Sequence, residues 1–258
     1  MSVSPDTSSI SLAERVGGSA AVATVLSVEI LSPSLAAVTM SVPDVSIGGV
    51  PGNDVMISFL RPSGTLARRR FSIRSIDPES KTLTFWVTTH HEGLASEWFR
   101  NASPGATTDL IGPRGKIALD PMADWYLFVG DISALGAFYN LADAIEVPGK
   151  AIFIVEVPTA QDIVTPTFSE GLGVTGIFIE RQERSANDPE GLLRGLAAFE
   201  FPPGEGHVYL FGEFHQINAL KLALLDRGLE LAQISMKAFW RTGRENQDHG
   251  EPDKSLSS

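Results

Sequence analysis

Hydrophobic and polar residues follow two different patterns along the chain. Between residues 20 and 120, short β-rich apolar runs are separated by turn signals such as PSG and DPES. These runs predict six short strands, and the segment GLASEWFRNA, entered from Gly93, predicts one helix. Six strands with a single helix are typical of a closed barrel. The first half is therefore predicted to be a six-stranded antiparallel β-barrel.

The second pattern covers residues 121–245. Apolar segments of strand length alternate with helical segments, beginning with WYLFVGD and then ISALGAFYNLADAI. Such alternation predicts βαβ units and a mostly parallel sheet. A last strand and turn are predicted in AQISMKAFWRTGR. The fold class is thus a two-domain protein, a β-barrel followed by an α/β domain with a parallel sheet.

The two ends of the chain have a different composition. Residues 1–19 are rich in Ser and Gly, and residues 246–258 are polar, so both are predicted to be flexible. The first 19 residues lack the basic start and apolar core of a signal peptide. Because no apolar run reaches 18 residues, no membrane insertion is expected, and we expect a cytoplasmic protein.

Charge and cysteine content narrow the classes of function. Lys and Arg number 20 against 31 Asp and Glu, a formal charge of −11, which disfavours nonspecific binding to nucleic acid or anionic membrane. Without cysteine the chain has no disulfide, thiolate nucleophile or Cys-ligated cluster, so redox chemistry would require another cofactor. The three consecutive arginines at 68–70 must therefore act locally.

Two short motifs in the barrel half point to a flavin. RRFS, Arg69 to Ser72, resembles the R-x-[YF]-[ST] signature of the ferredoxin-reductase-like flavoproteins, in which a cation binds the phosphate and a ring covers the flavin. GLAS, Gly93 to Ser96, resembles their G-x-x-S turn, where a glycine and a helix start approach the pyrophosphate. Alone, each motif also fits a simpler structure, an edge strand with solvated arginines or an ordinary helix start.

Four longer segments resemble the siderophore-interacting proteins, which are flavin-dependent ferric-siderophore reductases. They are RRFSIR, HHEGLASEW, ADWYLFVGDISALGAF and AFWRTG, and the resemblance spans about residues 20–245. It implies FAD as cofactor and Ser72, near flavin N5, as the catalytic position. The implied cofactor-binding residues are Arg69, Phe71, Ser72, Arg74, His91, Gly93, Leu94, Ala95, Ser96, Trp98, Gly130, Asp131, Ser133, Ala134, Gly212, Glu213 and Trp240.

The chain departs from the family pattern at three places. Phe71 replaces the usual tyrosine, which keeps the ring but removes the phenol hydroxyl. In GDISALGAF, Ile132 and Ser133 stand where the family has Glu-Thr, and Gly136 stands where it has proline. The last two departures concern the predicted pyridine-nucleotide site rather than the fold.

The carboxyl ends of the strands in the second half are where an open α/β sheet binds nucleotides. Gly130 and Gly212 end two such strands, and Glu213 follows the second, where it would also suit a helix N-terminus. Arg181 and Arg184 follow another strand and could bind the 2′-phosphate of NADPH, although a solvated charge run is the simpler interpretation. The expected donor is NADPH or NADH, with a ferredoxin as an alternative.

Basic residues near the end of the chain suggest an anionic substrate. A ferric siderophore with catecholate or carboxylate arms is negatively charged, and positive charge beside the flavin would bind it. The predicted substrate-binding residues are Arg68, Arg70, Lys237, Arg241 and Arg244. The alternative interpretation is that Lys237 and Arg244 are solvated surface charges.

A metal site is not expected. His90 and His91 are adjacent on a predicted strand and point to opposite faces, so they cannot easily bind one ion. The leading hypothesis is therefore an oxidoreductase that passes electrons from NAD(P)H through FAD to a ferric siderophore. The alternatives are the same flavoprotein with a ferredoxin donor and a siderophore-binding protein without turnover.

Overall fold

A computed structural model of the chain describes residues 4–16, 19–43, 49–89, 93–146 and 148–244. Six antiparallel strands form a closed barrel in the order β1-β2-β5-β4-β3-β6, which confirms the predicted barrel. Their bounds are β1 Ala20–Ser32, β2 Leu35–Ser41, β3 Asp54–Leu60, β4 Leu66–Asp77, β5 Thr82–Thr88 and β6 Thr107–Arg114.

The barrel core is filled by alternate residues of its strands. In β5, Leu83, Phe85 and Val87 are buried while their neighbours are half-buried, the period of two expected for a strand with one face inside. The predicted helix after Gly93 is α2, Leu94–Asn101. Its only buried residue, Phe99, packs edge-on against rings of the barrel. Helix α2 thereby becomes part of the barrel core.

The second half contains a five-stranded sheet, β11-β10-β7-β8-β9, in which every neighbouring pair is parallel. Its strands are β7 Trp125–Asp131, β8 Lys150–Val157, β9 Gly173–Glu180, β10 Gly206–Glu213 and β11 Ile234–Trp240. Its helices are α3 Leu135–Ala142, α4 Glu190–Ala197 and α5 Phe214–Asp226, and short 3-10 turns cover Ile132–Ala134, Ala160–Asp162 and Leu231–Gln233. The strand order reverses between β7 and β10, which creates a crevice at their carboxyl ends.

The two faces of this sheet have different cores. On the face toward the barrel, Phe128 stacks on Phe153 and Tyr209 at centroid distances of 5.0 and 5.2 Å. On the other face, aliphatic residues of α4 and α5 cover the sheet, Leu192 and Leu220 among them. Both faces are apolar, which explains why β7 is buried along its whole length.

The N-terminal segment differs from the expectation of a flexible lead-in. Residues Thr7–Val16 form helix α1, which packs against β1 and β6. Its inward residues, Ser9 and Ala13, are small, so the sequence lacks the large apolar stripe that predicts a packed helix. The other predicted flexible segment, 246–258, lies outside the described residues. No described helix has both the length and the apolar character needed to cross a bilayer.

Three side chains joined by hydrogen bonds stabilise the amino-terminal edge of the sheet. His207 at the start of β10 contacts Asp120 through Nδ1, at 3.1 Å, and Ser235 of β11 through Nε2, at 2.9 Å. Burial lowers the pKa of His207 from 6.5, and the hydrogen bond to Asp120 opposes that change. The imidazole is therefore held mainly neutral between two strands and the segment that precedes β7.

Replacement of His207 by glutamine should flatten the pH dependence of stability. The unfolded chain binds a proton on this side chain near pH 6.5, whereas the folded chain binds it only at lower pH. Stability is therefore lost as the pH falls below 6.5 toward the folded pKa. Urea unfolding at several pH values down to about 5 should show a smaller loss in His207→Gln than in the wild type. His215→Gln, at an exposed position, is the control; equal slopes in all three proteins would contradict the assignment.

Candidate flavin and substrate site

The predicted flavin residues of the barrel lie along β4. Arg69 is half-buried and donates from Nη1 to the Arg68 carbonyl at 2.8 Å. The ring of Phe71 is half-buried, with Phe99 of α2 edge-on at 5.1 Å. Ser72 follows on the opposite face of the strand, paired in the β3–β4 ladder with Asp54. Strand β4 thus carries a cation, a ring and a hydroxyl within four residues, the first two on one face and the third on the other.

The start of α2 has the backbone geometry that phosphates require. Gly93 caps the helix with φ 133°, a conformation that is strained for any side chain with a Cβ. The amides of Ala95 and Ser96 lie in the first helical turn, whose N–H groups an α-helix leaves without internal acceptors. These features fit the pyrophosphate of FAD. His90 and His91, the latter a predicted cofactor residue, lie outside the described residues.

A groove runs along α2 beneath the β3–β4 hairpin. It has a volume of about 620 Å³ and is lined mainly by apolar groups. Leu94 and Trp98 of the helix form one wall, and Leu60, Arg61 and Pro62 of the hairpin form the other. The groove therefore begins at the helix start that carries the predicted phosphate contacts and extends away from it.

Arg74 joins the two halves of the molecule. Its Nη1 lies 2.5 Å from Asp143 Oδ2, beside the carboxyl end of α3, and its guanidinium lies 5.5 Å from the centre of the Trp86 ring. The same indole contacts α3 at Gly136, where a Cβ would come within 2.9 Å of Trp86 Cβ. Arg74 is thus held by interdomain contacts, and Gly136 permits the helix to approach the barrel closely.

At the carboxyl ends of β7 and β10 the backbones approach so closely that glycine is needed. A Cβ on Gly130 would lie 1.7 Å from the Phe211 carbonyl oxygen, and Gly212 has φ 134°. Asp131 bridges this point: Oδ1 accepts from the Ser133 amide at 2.8 Å, and Oδ2 accepts from the Glu213 amide at 2.7 Å. Burial raises the pKa of Asp131, and these hydrogen bonds oppose the increase.

The remaining predicted nucleotide residues also have internal partners or are buried. Trp240 Nε1 donates to Asp131 Oδ2 at 3.0 Å. Glu213 is fully buried and caps α5, accepting from the Gln216 amide at 3.0 Å and from the Thr242 amide at 3.1 Å. Ala134 is buried, and the Ser133 hydroxyl is buried beside the Asp131 carboxylate. The acidic side chains of this edge thus stabilise the sheet and its helices by accepting hydrogen bonds from them.

Arg184 does not belong to a solvated charge run. Its Nη2 lies 3.1 Å from Oε2 of Glu156, a carboxylate buried at the end of β8. Burial raises the pKa of Glu156, while the Gln216 hydrogen bond and the charge of Arg184 oppose the increase. Arg184 therefore neutralises a buried acid, which explains its position without a nucleotide phosphate.

A basic cluster lies where β11 meets the barrel. Lys237 of β11 donates a short hydrogen bond to Asp54 of β3, and Arg70 contacts the same carboxylate through Nε and Nη2, both at 3.0 Å. Burial lowers the pKa of Lys237; Asp54 opposes this change, and the charges of Arg70 and Arg114 add to it. Two predicted substrate residues, Lys237 and Arg70, are therefore brought together with Arg114, which the sequence did not indicate.

The other three predicted substrate residues have different surroundings. Arg68 donates from Nη2 to Ser8 Oγ of α1 at 2.7 Å. The guanidinium of Arg241 lies 4.6 Å from the centre of the Phe214 ring at the start of α5. Arg244 is exposed, and its amide donates to the Arg241 carbonyl. None of these contacts joins them to Asp54, so the cluster is smaller than the sequence suggested.

Comparison with known proteins identifies the family to which this chain belongs. A profile described as "Siderophore-interacting protein" matches residues 123–243, and one described as "Siderophore-interacting FAD-binding domain" matches residues 60–117. The chain belongs to the siderophore-interacting protein family. The closed barrel followed by a parallel sheet is the ferredoxin-reductase-like fold, as predicted.

Individual known proteins resemble this chain over most of its length. An uncharacterised protein of Mycobacterium tuberculosis is 27% identical over 212 residues, 78% of this chain and 75% of the relative. A ferric vibriobactin reductase of Vibrio cholerae is 23% identical over 190 residues, 71% of this chain and 68% of the relative. The structure of a siderophore utilisation protein from T. fusca has a TM-score of 0.80 and 24% identity, covering 90% of this chain and 96% of that one.

The sequence of this siderophore-interacting protein does not single out two residues of the basic cluster. Asp54 lies in PGNDVMIS, where nothing distinguishes it from a strand-start acid, and Arg114 lies in the turn-like segment GPRG. Both face Lys237, more than a hundred residues away in the chain. Only the pairing of β3 with β4 and β6, and the docking of β11, reveals the cluster.

Replacement of Asp131 by asparagine should destabilise the carboxyl edge of the sheet. An amide cannot accept from Ser133, Glu213 and Trp240 together, so at least one buried donor loses its acceptor. The free energy of unfolding should fall by about 1–3 kcal/mol, measured by urea denaturation. Trp240 emission should change in the same variant. The control is Asp143→Asn, which removes a partly exposed carboxylate; an equal loss in both variants would contradict the bridging role.

Proposed function

We propose that this protein is an FAD-dependent reductase whose substrates are negatively charged ferric siderophores. The observation that carries the proposal is the register of β3 and β4: Asp54, which gathers the basic cluster, is paired with Ser72 of the flavin motif. A cation cluster adjacent to the flavin motif would hold an anionic iron complex beside the electron source. The V. cholerae relative, named as a ferric vibriobactin reductase, supports this class of activity.

The barrel residues have distinct proposed roles in holding FAD. Arg69 and the first turn of α2 bind the phosphates, Phe71 covers one side of the flavin ring, and the groove beside Trp98 holds the adenosine end. When bound, FAD accepts a hydride and releases electrons singly, which Fe(III) requires. The protein contributes position and electrostatics, since the proposed step demands no protein acid or nucleophile.

Charges at the carboxyl edge of the sheet bear on the choice of electron donor. Arg184, offered by the sequence for a 2′-phosphate, is paired with Glu156, and Asp131 and Glu213 add negative charge near the crevice. This charge pattern supports NADH over NADPH, whereas an acidic protein donor such as a ferredoxin would have to dock at basic residues away from the crevice. Such donors are available in the cytoplasm, where we propose that the protein acts.

The visible spectrum of the purified protein tests the proposal first. A yellow protein that is bleached anaerobically by NADH or by a reduced ferredoxin, and reoxidised by a ferric siderophore, would support the reductase. Comparison of NADH, NADPH and ferredoxin in the same assay identifies the donor. A colourless protein that binds a ferric siderophore but no added FAD would instead indicate a binding protein without turnover.

Replacement of Arg69 by alanine should weaken FAD binding. Loss of a charge-assisted contact with phosphate should raise the dissociation constant by about tenfold or more, measured by flavin fluorescence on titration. Affinity for riboflavin, which has no phosphate, should change little. Arg194→Ala, which removes an exposed arginine of α4, serves as the control. Equal FAD affinity in the wild type and both variants would rule out Arg69 as the phosphate ligand.

Replacement of Lys237 by glutamine should raise KM for an anionic ferric catecholate, with FAD content unchanged. Glutamine retains a hydrogen-bond donor for Asp54 but removes the charge that attracts the substrate. We expect an increase of about tenfold at low salt, which shrinks as ionic strength rises because charges are screened over about 10 Å at 0.1 M. Arg194→Gln should leave KM unchanged. An unaltered KM in Lys237→Gln would move the substrate site elsewhere.

A further inference from the structure

A serine, a histidine and an aspartate lie in a row at the amino-terminal edge of the sheet. His207 Nε2 is 2.9 Å from Ser235 Oγ, and His207 Nδ1 is 3.1 Å from Asp120 Oδ2. The three residues belong to β10, β11 and the segment before β7. Gly212 lies near the opposite end of β10, so this row is separate from the crevice at the carboxyl ends of the strands.

The two partners of His207 determine which ring nitrogen carries the proton. An ionised carboxylate can only accept a hydrogen bond, so the contact with Asp120 requires the proton on Nδ1. Burial lowers the pKa of His207 from 6.5, so the ring is neutral at pH 7 and Nε2 keeps its lone pair. The Ser235 hydroxyl therefore donates to Nε2. This is the arrangement in which an imidazole removes the proton of a nucleophilic serine.

Asp120 is itself held in place by hydrogen bonds. Its Oδ1 accepts from the Met122 amide at 3.0 Å, and its carbonyl accepts from the Tyr126 hydroxyl at 2.7 Å. Its amide donates to the Tyr209 hydroxyl oxygen at 2.9 Å, and the Tyr209 ring lies 4.9 Å from the imidazole of His207. The carboxylate and the imidazole are therefore fixed relative to each other.

Ser235 lies on the edge strand of the sheet, where solvent and a backbone amide are close to it. The residue is half-buried, and 36% of the Asp120 side chain is accessible. The Ile234 amide donates to the Leu231 carbonyl instead of to β10. Because successive amides of a strand point to alternate sides, the Met236 amide also points away from β10. That amide offers a donor to negative charge that develops on a carbonyl group at Ser235.

We propose that Ser235, His207 and Asp120 form a second reactive centre, which hydrolyses small carboxylic esters through an acyl-serine intermediate. Ser235 and His207 are the catalytic residues, and Asp120 is a positioning residue that keeps the proton on Nδ1. Because Ser235 is half-buried, the centre is suited to short acyl groups such as acetyl. The reaction requires neither flavin nor iron, so it is independent of the proposed reductase.

The reaction has two steps that share the same base. In the first, Ser235 Oγ attacks the ester carbonyl and His207 Nε2 takes the hydroxyl proton. The bond from the carbonyl carbon to the alcohol oxygen breaks, and the alcohol leaves with that proton. In the second, water attacks the acyl carbonyl and gives a proton to His207, which returns it to Ser235 Oγ as the acid leaves.

Labelling with diisopropyl fluorophosphate, which phosphorylates activated serines, tests the nucleophile. We expect the purified wild type to take up one equivalent, located on Ser235 by peptide mass spectrometry. Ser235→Ala should lose this label. Ser63→Ala, which removes an exposed serine between β3 and β4, should be labelled like the wild type. A wild type that remains unlabelled at Ser235 in excess reagent would overturn the proposal.

Two further variants test the base and its orientation. His207→Gln should lower the rate constant of labelling by at least about 100-fold, because the general base is lost. Asp120→Asn should lower it by at least about tenfold, because an amide no longer requires the proton on Nδ1. His215→Gln, at an exposed position, should react like the wild type. Labelling at the wild-type rate in a folded His207→Gln would show that the three residues only stabilise the sheet edge.

Turnover of p-nitrophenyl acetate provides a readout that remains if the base variants do not fold. The wild type should release many equivalents of p-nitrophenol, whereas Ser235→Ala should fall to the background of surface histidines and Ser63→Ala should be unchanged. p-Nitrophenyl decanoate should react more slowly than the acetate. Equal turnover in the wild type and Ser235→Ala would overturn the proposal. Reduction of a ferric siderophore without ester hydrolysis would retain the reductase and reject this centre.

Discussion

The relative position of barrel and sheet is fixed by buried polar side chains that hydrogen-bond across their interface. Besides Asp54 with Lys237, the buried Asp162 accepts from Ser32 Oγ at 2.9 Å and from the Ser34 amide at 2.8 Å. Asn140 of α3 accepts from the Gly52 amide and donates to the Arg74 carbonyl. A buried polar group without its partner is unfavourable by several kcal/mol in the worst case, so these contacts oppose sliding between the halves. Among them, the Lys237–Asp54 contact holds β11 against β3, the neighbour of the strand that carries the flavin motif.

Buried polar side chains also stabilise the carboxyl edge of the sheet, but there they hydrogen-bond within the second half of the molecule. In open α/β sheets this edge commonly binds a nucleotide through free amides and a few side chains. Here Asp131 and Glu213 already accept from amides of the turns and helices around them, and Trp240 covers Asp131. The edge is therefore stabilised internally, and the chemically distinctive charges lie instead between the sheet and the barrel.

The sequence predicted the architecture well because alternation and strand length are local signals. It missed helix α1, whose inward face consists of Ser9 and Ala13 rather than large apolar residues. Among the basic residues, it predicted that Arg68 and Arg70 both bind the substrate, but α1 contacts the first and Asp54 the second. Asp54 and Arg114 are ordinary in sequence, and only strand pairing gives them a role.

Gly136 has a consequence for the spacing of the two halves of the molecule. The barrel-facing side of α3 approaches Trp86 so closely that a single methyl group at Gly136 would collide with the Cβ of Trp86. Packed interiors transmit such a change rather than absorb it. A larger residue at this position would tilt the helix away from β5 and carry the sheet with it. The distance between the barrel and the parallel sheet is thus limited by the size of the side chain at position 136, which faces Trp86 rather than the charged residues at the junction of β11 and the barrel.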